Sequence, residues 1–154
     1  MNDPGFDQGL AHRHFAAHCF NITWDLIDKS ERSEAEQLQM LLQSAASLWH
    51  WTERDDCAPQ NLSIGYWQLA RVSALIGEAN LARRFARTCL EVSPAEDAFL
   101  VGFAYEALAR AAATAGDQAE MERCLAEAKS TAANVEDAEN RAALLADLAT
   151  ITAQ

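Results

Sequence analysis

Apolar residues recur every three or four positions along most of the chain, which is the spacing that places them on one face of an α-helix. No stretch alternates cleanly between apolar and polar residues, so the pattern predicts no β-strand. Most glycines and all three prolines fall at the breaks between the periodic segments. We therefore expect a single all-α domain of about seven antiparallel helices. The predicted helices cover residues 7–28, 33–54, 62–76, 79–92, 94–115, 118–133 and 137–152.

Two of these helix starts carry recognisable capping sequences. Ser33 is followed three residues later by Glu36, which is a capping box whose hydroxyl and carboxylate satisfy free backbone N–H groups. Ser93 is followed by Pro94 and then by Glu96, which combines a serine cap with a proline at the first helical position. The second signal predicts that the fifth helix begins at Pro94.

A segment of the third and fourth predicted helices recurs 39 residues later in the fifth and sixth. In both copies Tyr-x-x-Leu-Ala-Arg is followed, six residues after the arginine, by a glycine and an acidic residue. This pattern predicts a helix-turn-helix unit used twice, each copy covering the apolar face of the other. The matching residues are Tyr66, Leu69, Ala70, Arg71, Gly77, Glu78 and Arg84, and then Tyr105, Leu108, Ala109, Arg110, Gly116, Asp117 and Arg123.

Small residues and a proline follow a regular spacing in the two copies: Ala70, Gly77, Ala82 and Pro94, and then Ala109, Gly116 and Ala128. In this spacing, residues 62–133 resemble the tetratricopeptide-like (TPR-like) helical repeats. The chain departs from that family in its period of 39 residues and in the displacement of the second-helix aromatic to Phe85. The resemblance implies repeats that form a short right-handed superhelix with a concave groove. Residues 1–61 would then be an aromatic-rich helical hairpin and residues 134–154 a capping helix.

Charge narrows the choice of partners. Acidic residues outnumber Lys and Arg by 23 to 12, giving a formal net charge of −11. A phosphate surface would repel such a chain, so we expect neither nucleic acid nor an anionic membrane as a partner. Residues 1–5 lack the basic end and apolar run of a secretory signal, and no apolar run is long enough to span a bilayer. The expected location is therefore cytoplasmic.

Composition differs between the two halves of the chain. Residues 1–77 hold eight of the twelve aromatic residues, and residues 78–154 hold 23 of the 32 alanines. Bulky pocket walls are therefore expected in the first half and close helix packing in the second. Gly102 falls inside the fifth predicted helix, where it costs about 1 kcal/mol against alanine unless close packing requires it. The four cysteines have no metal-site spacing, and no phosphate loop or nucleophile elbow is present, so no cofactor is expected.

The repeat suggests a candidate ligand groove, because the first helix of each pair lines the concave face in TPR-like proteins. Trp67 and Arg71 share one face of the third predicted helix, and Glu106 and Arg110 share one face of the fifth, beside Tyr105. The two arginines are equivalent in the repeat and could hold a carboxylate or phosphate by forked hydrogen bonds. Alternatively, each arginine pairs with a local acid such as Glu106.

A second set of candidates lies near the end of the second predicted helix. His50 stands between Trp49 and Trp51, where the helix is apolar on almost every side. His50 and Trp51 could therefore line an aromatic ligand pocket. Alternatively, His50 is a core histidine that is hydrogen-bonded to a neighbouring helix.

Three functions remain open from the sequence. The favoured one is a non-enzymatic protein- or peptide-binding scaffold. The second is a metal-binding bundle or metal-dependent enzyme, because His14 and His18 are four residues apart and could share an ion with His50 or Asp25. Alternatively, the pair belongs to a solvated or interface-facing polar stripe of the helix. The third is a self-associating protein that forms a homodimer through its alanine-rich last helices.

Overall fold

A computed structural model describes residues 5–152, and all regular structure within that range is α-helical. The predicted all-α class is confirmed. Seven helices lie in this part of the chain, and neighbours in sequence pack against each other. They are α1 (Gln8–Ile27), α2 (Glu34–Thr52), α3 (Pro59–Leu75), α4 (Ala79–Val92), α5 (Ala98–Thr114), α6 (Gln118–Ala132) and α7 (Ala138–Ala149).

The turns that end α3 and α5 have the same backbone geometry. Gly77 and Gly116 have φ angles of +81° and +71°, the left-handed conformation that glycine adopts at helix ends. The amide of the residue after each glycine donates to a carbonyl five residues earlier, that of Ser73 or Ala112, at 2.9 Å in both turns. Residues 39 positions apart therefore form matching turns, as the internal repeat predicts.

The predicted start of α5 at Pro94 is wrong. The helix is capped by Asp97, whose carboxylate accepts two backbone N–H groups of the first turn. Ser93 faces inward instead, where its hydroxyl donates to the carbonyl of Cys89 and contacts the hydroxyl of Ser63, each at 2.7 Å. Pro94 belongs to the turn between α4 and α5, because its carbonyl accepts the amide of Asp97.

The predicted start of α3 is also displaced, since the helix begins at Pro59 rather than at Leu62. Proline suits the first position of a helix because its missing N–H has no partner there in any case. The side chain of Asn61 accepts the amide of Ala58 at 2.9 Å and so closes the helix start. The other five helices begin and end within three residues of the predicted positions.

The largest core surrounds α5, in which ten of 17 residues are buried, most of them alanine or glycine. A Cβ added at Gly102 would lie 2.5 Å from Cδ2 of Leu144, which is itself fully buried on α7. The absence of a side chain at Gly102 therefore lets α7 pack closely against α5. This close packing explains why a glycine stands inside the helix.

A smaller core lies between α1, α2 and α3 and is built on Ile27, Met40 and Val72. Only three of the 20 residues of α1 are buried. Because α3 also contributes Ala70 to the core around α5, it joins both parts of the fold. Among residues 5–152, no helix combines the length and the apolar character needed to cross a membrane.

Candidate functional site

The structure brings together four of the residues that the repeat singled out. The carboxylate of Glu106 is fully buried on α5. Its Oε2 accepts the indole Nε1–H of Trp67 at 2.8 Å, and its Oε1 accepts from Nη1 of Arg71 at 3.3 Å and from Nε of Arg110 at 2.5 Å. We refer to Trp67, Arg71, Glu106 and Arg110 as the Glu106 cluster. Both arginines therefore pair with the local acid.

The repeat itself explains why these side chains meet. Trp67 and Glu106 are 39 residues apart, as are Arg71 and Arg110, so each pair occupies equivalent positions in the two copies. Because α3 and α5 pack side by side, the side chains at these positions come together around Glu106. The same helical stripe then carries an indole and a guanidinium on α3 and a carboxylate and a guanidinium on α5.

The surroundings of the Glu106 cluster balance its charge. Nη2 of Arg110 donates to the carbonyl of Asp147 and to the hydroxyl of Thr150, at 3.2 and 2.9 Å. Arg71 is 15% exposed and lies 3.6 Å from the carboxylate of Asp147. Burial lowers the pKa of the Arg71 guanidinium, and the carboxylate of Glu106 acts against that effect. Two guanidinium groups thus face two carboxylates, which leaves no net positive charge for an anionic ligand.

An open apolar recess of about 200 Å³ lies beside the cluster, between α3 and α5. Trp67 belongs to both features, because its N–H is held by Glu106 while its ring forms one wall of the recess. The ring of Phe103 packs edge-on against Trp67 at 5.3 Å between centroids. We call this feature the apolar recess; it is lined by Ser63, Ile64, Trp67, Phe99, Leu100 and Phe103.

Two further recesses each share one lining residue with the apolar recess. The first, of about 190 Å³, shares Ile64 and is walled by Phe20 of α1 and by Trp51; we call it the tryptophan recess. The guanidinium of Arg54 covers the ring of Trp51 at 3.8 Å. The second, of about 520 Å³, shares Phe99 and reaches the segment between α6 and α7. The three recesses are therefore neighbours, joined through Ile64 and Phe99.

His50 does not join the Glu106 cluster. Its Nδ1 lies 2.9 Å from Nδ1 of His12 on α1, so that one ring nitrogen donates and the other accepts. The ring also stacks on Phe15 at 5.4 Å, and it lines a different recess together with Phe6 and Glu53. Burial lowers the pKa of His50, and His12 adds to this effect. His50 is therefore hydrogen-bonded to a neighbouring helix, which is the second of the two arrangements considered from the sequence.

The residues proposed as metal ligands do not converge. His14 and His18 stack on each other on the exposed side of α1, with 5.4 Å between ring centroids, whereas His50 is paired with His12. Within residues 5–152, no three His, Cys, Asp or Glu side chains are grouped so that they could hold a metal ion. Tyr105 is half-buried against the core around α5 and lines none of the three recesses.

Sequence reasoning missed Ile64 and Phe99, although both line recesses that meet at the site. A signal was present, because Ile64 lies one helical turn before Trp67, and Phe99 lies one turn before Phe103. An apolar stripe along the first helix of each pair could therefore have identified them.

A scan against models of protein families, a search of curated proteins and a search of solved structures each found no match to this chain.

Proposed function

We propose that this chain is a non-enzymatic TPR-like binding module that takes an apolar side chain of a protein or peptide into the apolar recess. The observation that carries the proposal is the state of Trp67. Its ring walls an open apolar recess, while its only polar group is already bonded to a buried carboxylate. A wall that is fixed in advance costs little conformational entropy when a ligand binds. Concave and mainly apolar sites of this kind are typical of ligand binding.

The three neighbouring recesses favour an extended segment over a compact small molecule. Neighbouring helix axes are about 8–10 Å apart, and an extended chain advances about 3.3 Å per residue. Side chains about three residues apart could then occupy the tryptophan recess and the apolar recess. Ile64, which is 40% exposed, lies between the two and contacts both occupants in this arrangement.

Selection from a library of random displayed peptides tests this function. We expect the full chain to enrich peptides with two apolar residues about three positions apart. The substitution Ile64→Glu places a charge at the junction of the two recesses and should weaken binding of the enriched peptides at least about tenfold. Leu145→Glu is the matched control, because Leu145 on α7 is 44% exposed and lines none of the three recesses.

Two results would contradict the proposal. One is a selection that enriches no peptide above an unrelated helical protein. The other is equal loss of binding in Ile64→Glu and Leu145→Glu, which would mean that the recess has no special part. Circular dichroism of both variants establishes that each remains helical.

A second function, self-association, is favoured by a separate observation on α2. Leu38, Leu42, Ala45 and Trp49 are all exposed and follow each other at spacings of four, three and four residues. This is the spacing of the seam between two paired helices. We call these residues the α2 stripe. It is a candidate dimer face beside the alanine-rich last helices, where Ala142 and Ala146 of α7 are also exposed. Sedimentation of the full chain at several concentrations, with Leu42→Glu beside it, tests this function.

A further inference from the structure

We infer that two copies of this chain join through their α2 helices in antiparallel orientation, so that one assembly carries two apolar recesses. This inference rests on the second proposed function, self-association, and adds the face and the orientation of the partner. Its basis is the α2 stripe together with the aromatic residues that lie beside it on α1.

The outward face of α2 differs from those of the other second helices in the three pairs. Residues 37–52 include no Asp, Glu, Lys or Arg, although charged residues make up 23% of the chain. The outward faces of α4 and α6 are charged and expose Arg84, Arg87, Glu91, Glu122, Arg123, Glu127 and Lys129. Loss of charge and enrichment in aromatic residues are typical of the buried centre of a protein interface. The uncharged face of α2 is therefore a specific feature of this helix.

The α2 stripe continues into an aromatic surface at the start of α1. The ring of Trp49 lies 5.4 Å from the ring of His12 and 4.8 Å from that of His50. His50 in turn stacks on Phe15, and Phe6 lines the same recess as these rings. The apolar surface therefore crosses from α2 to α1. We call it the hairpin face; its apolar members are Phe6, Phe15, Leu38, Leu42, Ala45 and Trp49.

The size of the hairpin face suits a dimer. Its five large side chains are between 43% and 61% exposed. With about 150–250 Å² for each large apolar side chain, the face presents roughly 400–600 Å² of apolar surface. A standard interface takes about 800 Å² from each partner, and a little over half of that area is apolar. The hairpin face can therefore supply the apolar part of such an interface.

The order of residues along the α2 stripe favours the antiparallel orientation. In a two-fold dimer, a contact of one residue with a second is repeated with the two copies exchanged. Antiparallel pairing sets Leu42 against Ala45 of the second copy and Leu38 against Trp49. Each level then combines a larger side chain with a smaller one, which fills the seam evenly. Parallel pairing instead sets two tryptophans against each other and leaves two alanines face to face.

The hairpin face and the binding surface do not overlap. None of the six residues of the hairpin face lines the apolar recess or the tryptophan recess. A dimer joined through α2 therefore keeps both recesses of each copy available to a ligand.

The charge of the chain predicts how salt affects this dimer. Each copy carries a net charge of −11, so two copies repel each other. Salt screens this repulsion and leaves the attraction between apolar faces in place. Association should therefore strengthen as salt is added, whereas an interface built on ion pairs would weaken.

Sedimentation equilibrium of the full chain at several concentrations, in low and in high salt, tests the face. We expect the mass to rise from that of one chain to that of two, and to do so at lower concentration in high salt. Leu42→Glu should keep the mass of one chain throughout. Leu145→Glu, on the exposed side of α7, changes the other candidate face and should associate like the parent. Circular dichroism of both variants establishes that each remains helical.

Disulfide cross-linking tests the orientation. Positions 38 and 49 meet in the antiparallel dimer, whereas two copies of position 38 lie about 16 Å apart along the helices, too far for a disulfide. We therefore expect mild oxidation to link a mixture of Leu38→Cys and Trp49→Cys chains, and not the Leu38→Cys chain with itself. The parent chain under the same oxidation is the control for its four native cysteines.

The outcomes separate this inference from self-association as such. A parent chain that keeps the mass of one chain at every concentration and salt overturns both. A dimer that persists in Leu42→Glu assigns self-association to another face and overturns only the inference. Linkage of the Leu38→Cys chain with itself, or no linked product from the mixture, overturns the antiparallel orientation.

Discussion

The helix α5 and the hairpin of α1 and α2 use their apolar residues in opposite ways. Ten of the 17 residues of α5 are buried, whereas α1 buries three of 20. Alanine and glycine let neighbouring helices approach α5 closely, and little apolar surface remains on it. The larger side chains of α1 and α2 cannot all be enclosed by two helices, so Leu10, Leu42 and Trp49 remain more than half exposed. The region around α5 thus encloses most of its apolar residues, whereas the hairpin leaves several of its large apolar side chains exposed.

The polar residues of the two regions also differ in how deeply they are buried and in how many partners they have. Glu106 lies inside the fold with three partners, and its removal would leave buried groups without a counterpart. His50 lies at the edge of the hairpin with one histidine as its partner. If this difference is correct, substitutions around α5 should lower the free energy of unfolding strongly, and substitutions on the hairpin should change it little.

The largest effect is expected for Glu106→Gln. The substitution keeps the shape of the side chain but leaves two guanidinium groups without their shared carboxylate, and loss of one partner of a buried pair costs about 3–5 kcal/mol. Urea denaturation measures the free energy of unfolding. Glu91→Gln, at an exposed position on α4, is the control and should stay within about 0.5 kcal/mol of the parent. A loss below about 1 kcal/mol for Glu106→Gln would mean that the cluster is not structural.

The next effect is expected for Leu144→Ala, which empties the site where α7 meets Gly102. Leu144 is fully buried, so we expect a loss of about 2–5 kcal/mol from lost burial and the cavity left behind. Leu42→Ala is the matched substitution on the hairpin and should cost less than about 0.5 kcal/mol, because Leu42 is 61% exposed. Similar losses for the two variants would remove the distinction between the regions.

A smaller, pH-dependent effect is expected at His50. Burial and His12 lower its pKa in the folded chain, so the unfolded chain binds the proton more readily below about pH 6.5. Stability should therefore fall as the pH decreases through this range. The salt-bridged carboxylates of Glu36 and Asp56, with pKa values of about 2, lose their contribution only at lower pH. Urea midpoints between about pH 7.5 and 5.5 should decline less steeply in His50→Gln; parallel declines would show that His50 has no part in the effect.

The smallest effect on stability is expected for Leu42→Glu in the α2 stripe. The side chain is exposed, so the free energy of unfolding should change by less than about 0.5 kcal/mol. If the stripe joins two copies, the same substitution should abolish the concentration dependence of the sedimentation coefficient. A parent chain that sediments as a monomer at all concentrations would remove self-association as a function.

Most of the fold could be predicted because its signals are local. Gly77 and Gly116 mark the ends of α3 and α5 through backbone conformations that other residues rarely adopt. The start of α5 could not be predicted in the same way, since Ser93 and Asp97 are both good caps. The choice depends on a tertiary contact, because the hydroxyl of Ser63 holds the hydroxyl of Ser93 inside the fold.

In the candidate site, too, some contacts could be predicted from the sequence and others could not. The meeting of Arg71, Arg110 and Glu106 could be anticipated, because the repeat places them on the first helices of successive pairs, which pack side by side. The pairing of His50 with His12 could not be anticipated, because no repeat relates α1 to α2. Their register is set by contacts such as that of the Ser47 hydroxyl with the carbonyl of Ala16, at 2.7 Å.

The most direct test of the binding surface is an NMR titration of the isotope-labelled chain with one of the peptides enriched by the selection. We expect the methyl signals of Ile64 and the indole N–H signal of Trp67 to shift in step with the peptide concentration. The methyl signals of Leu42 in the α2 stripe should stay in place. Shifts confined to Leu42 and Trp49, with Ile64 and Trp67 unchanged, would contradict the proposed binding surface between α3 and α5.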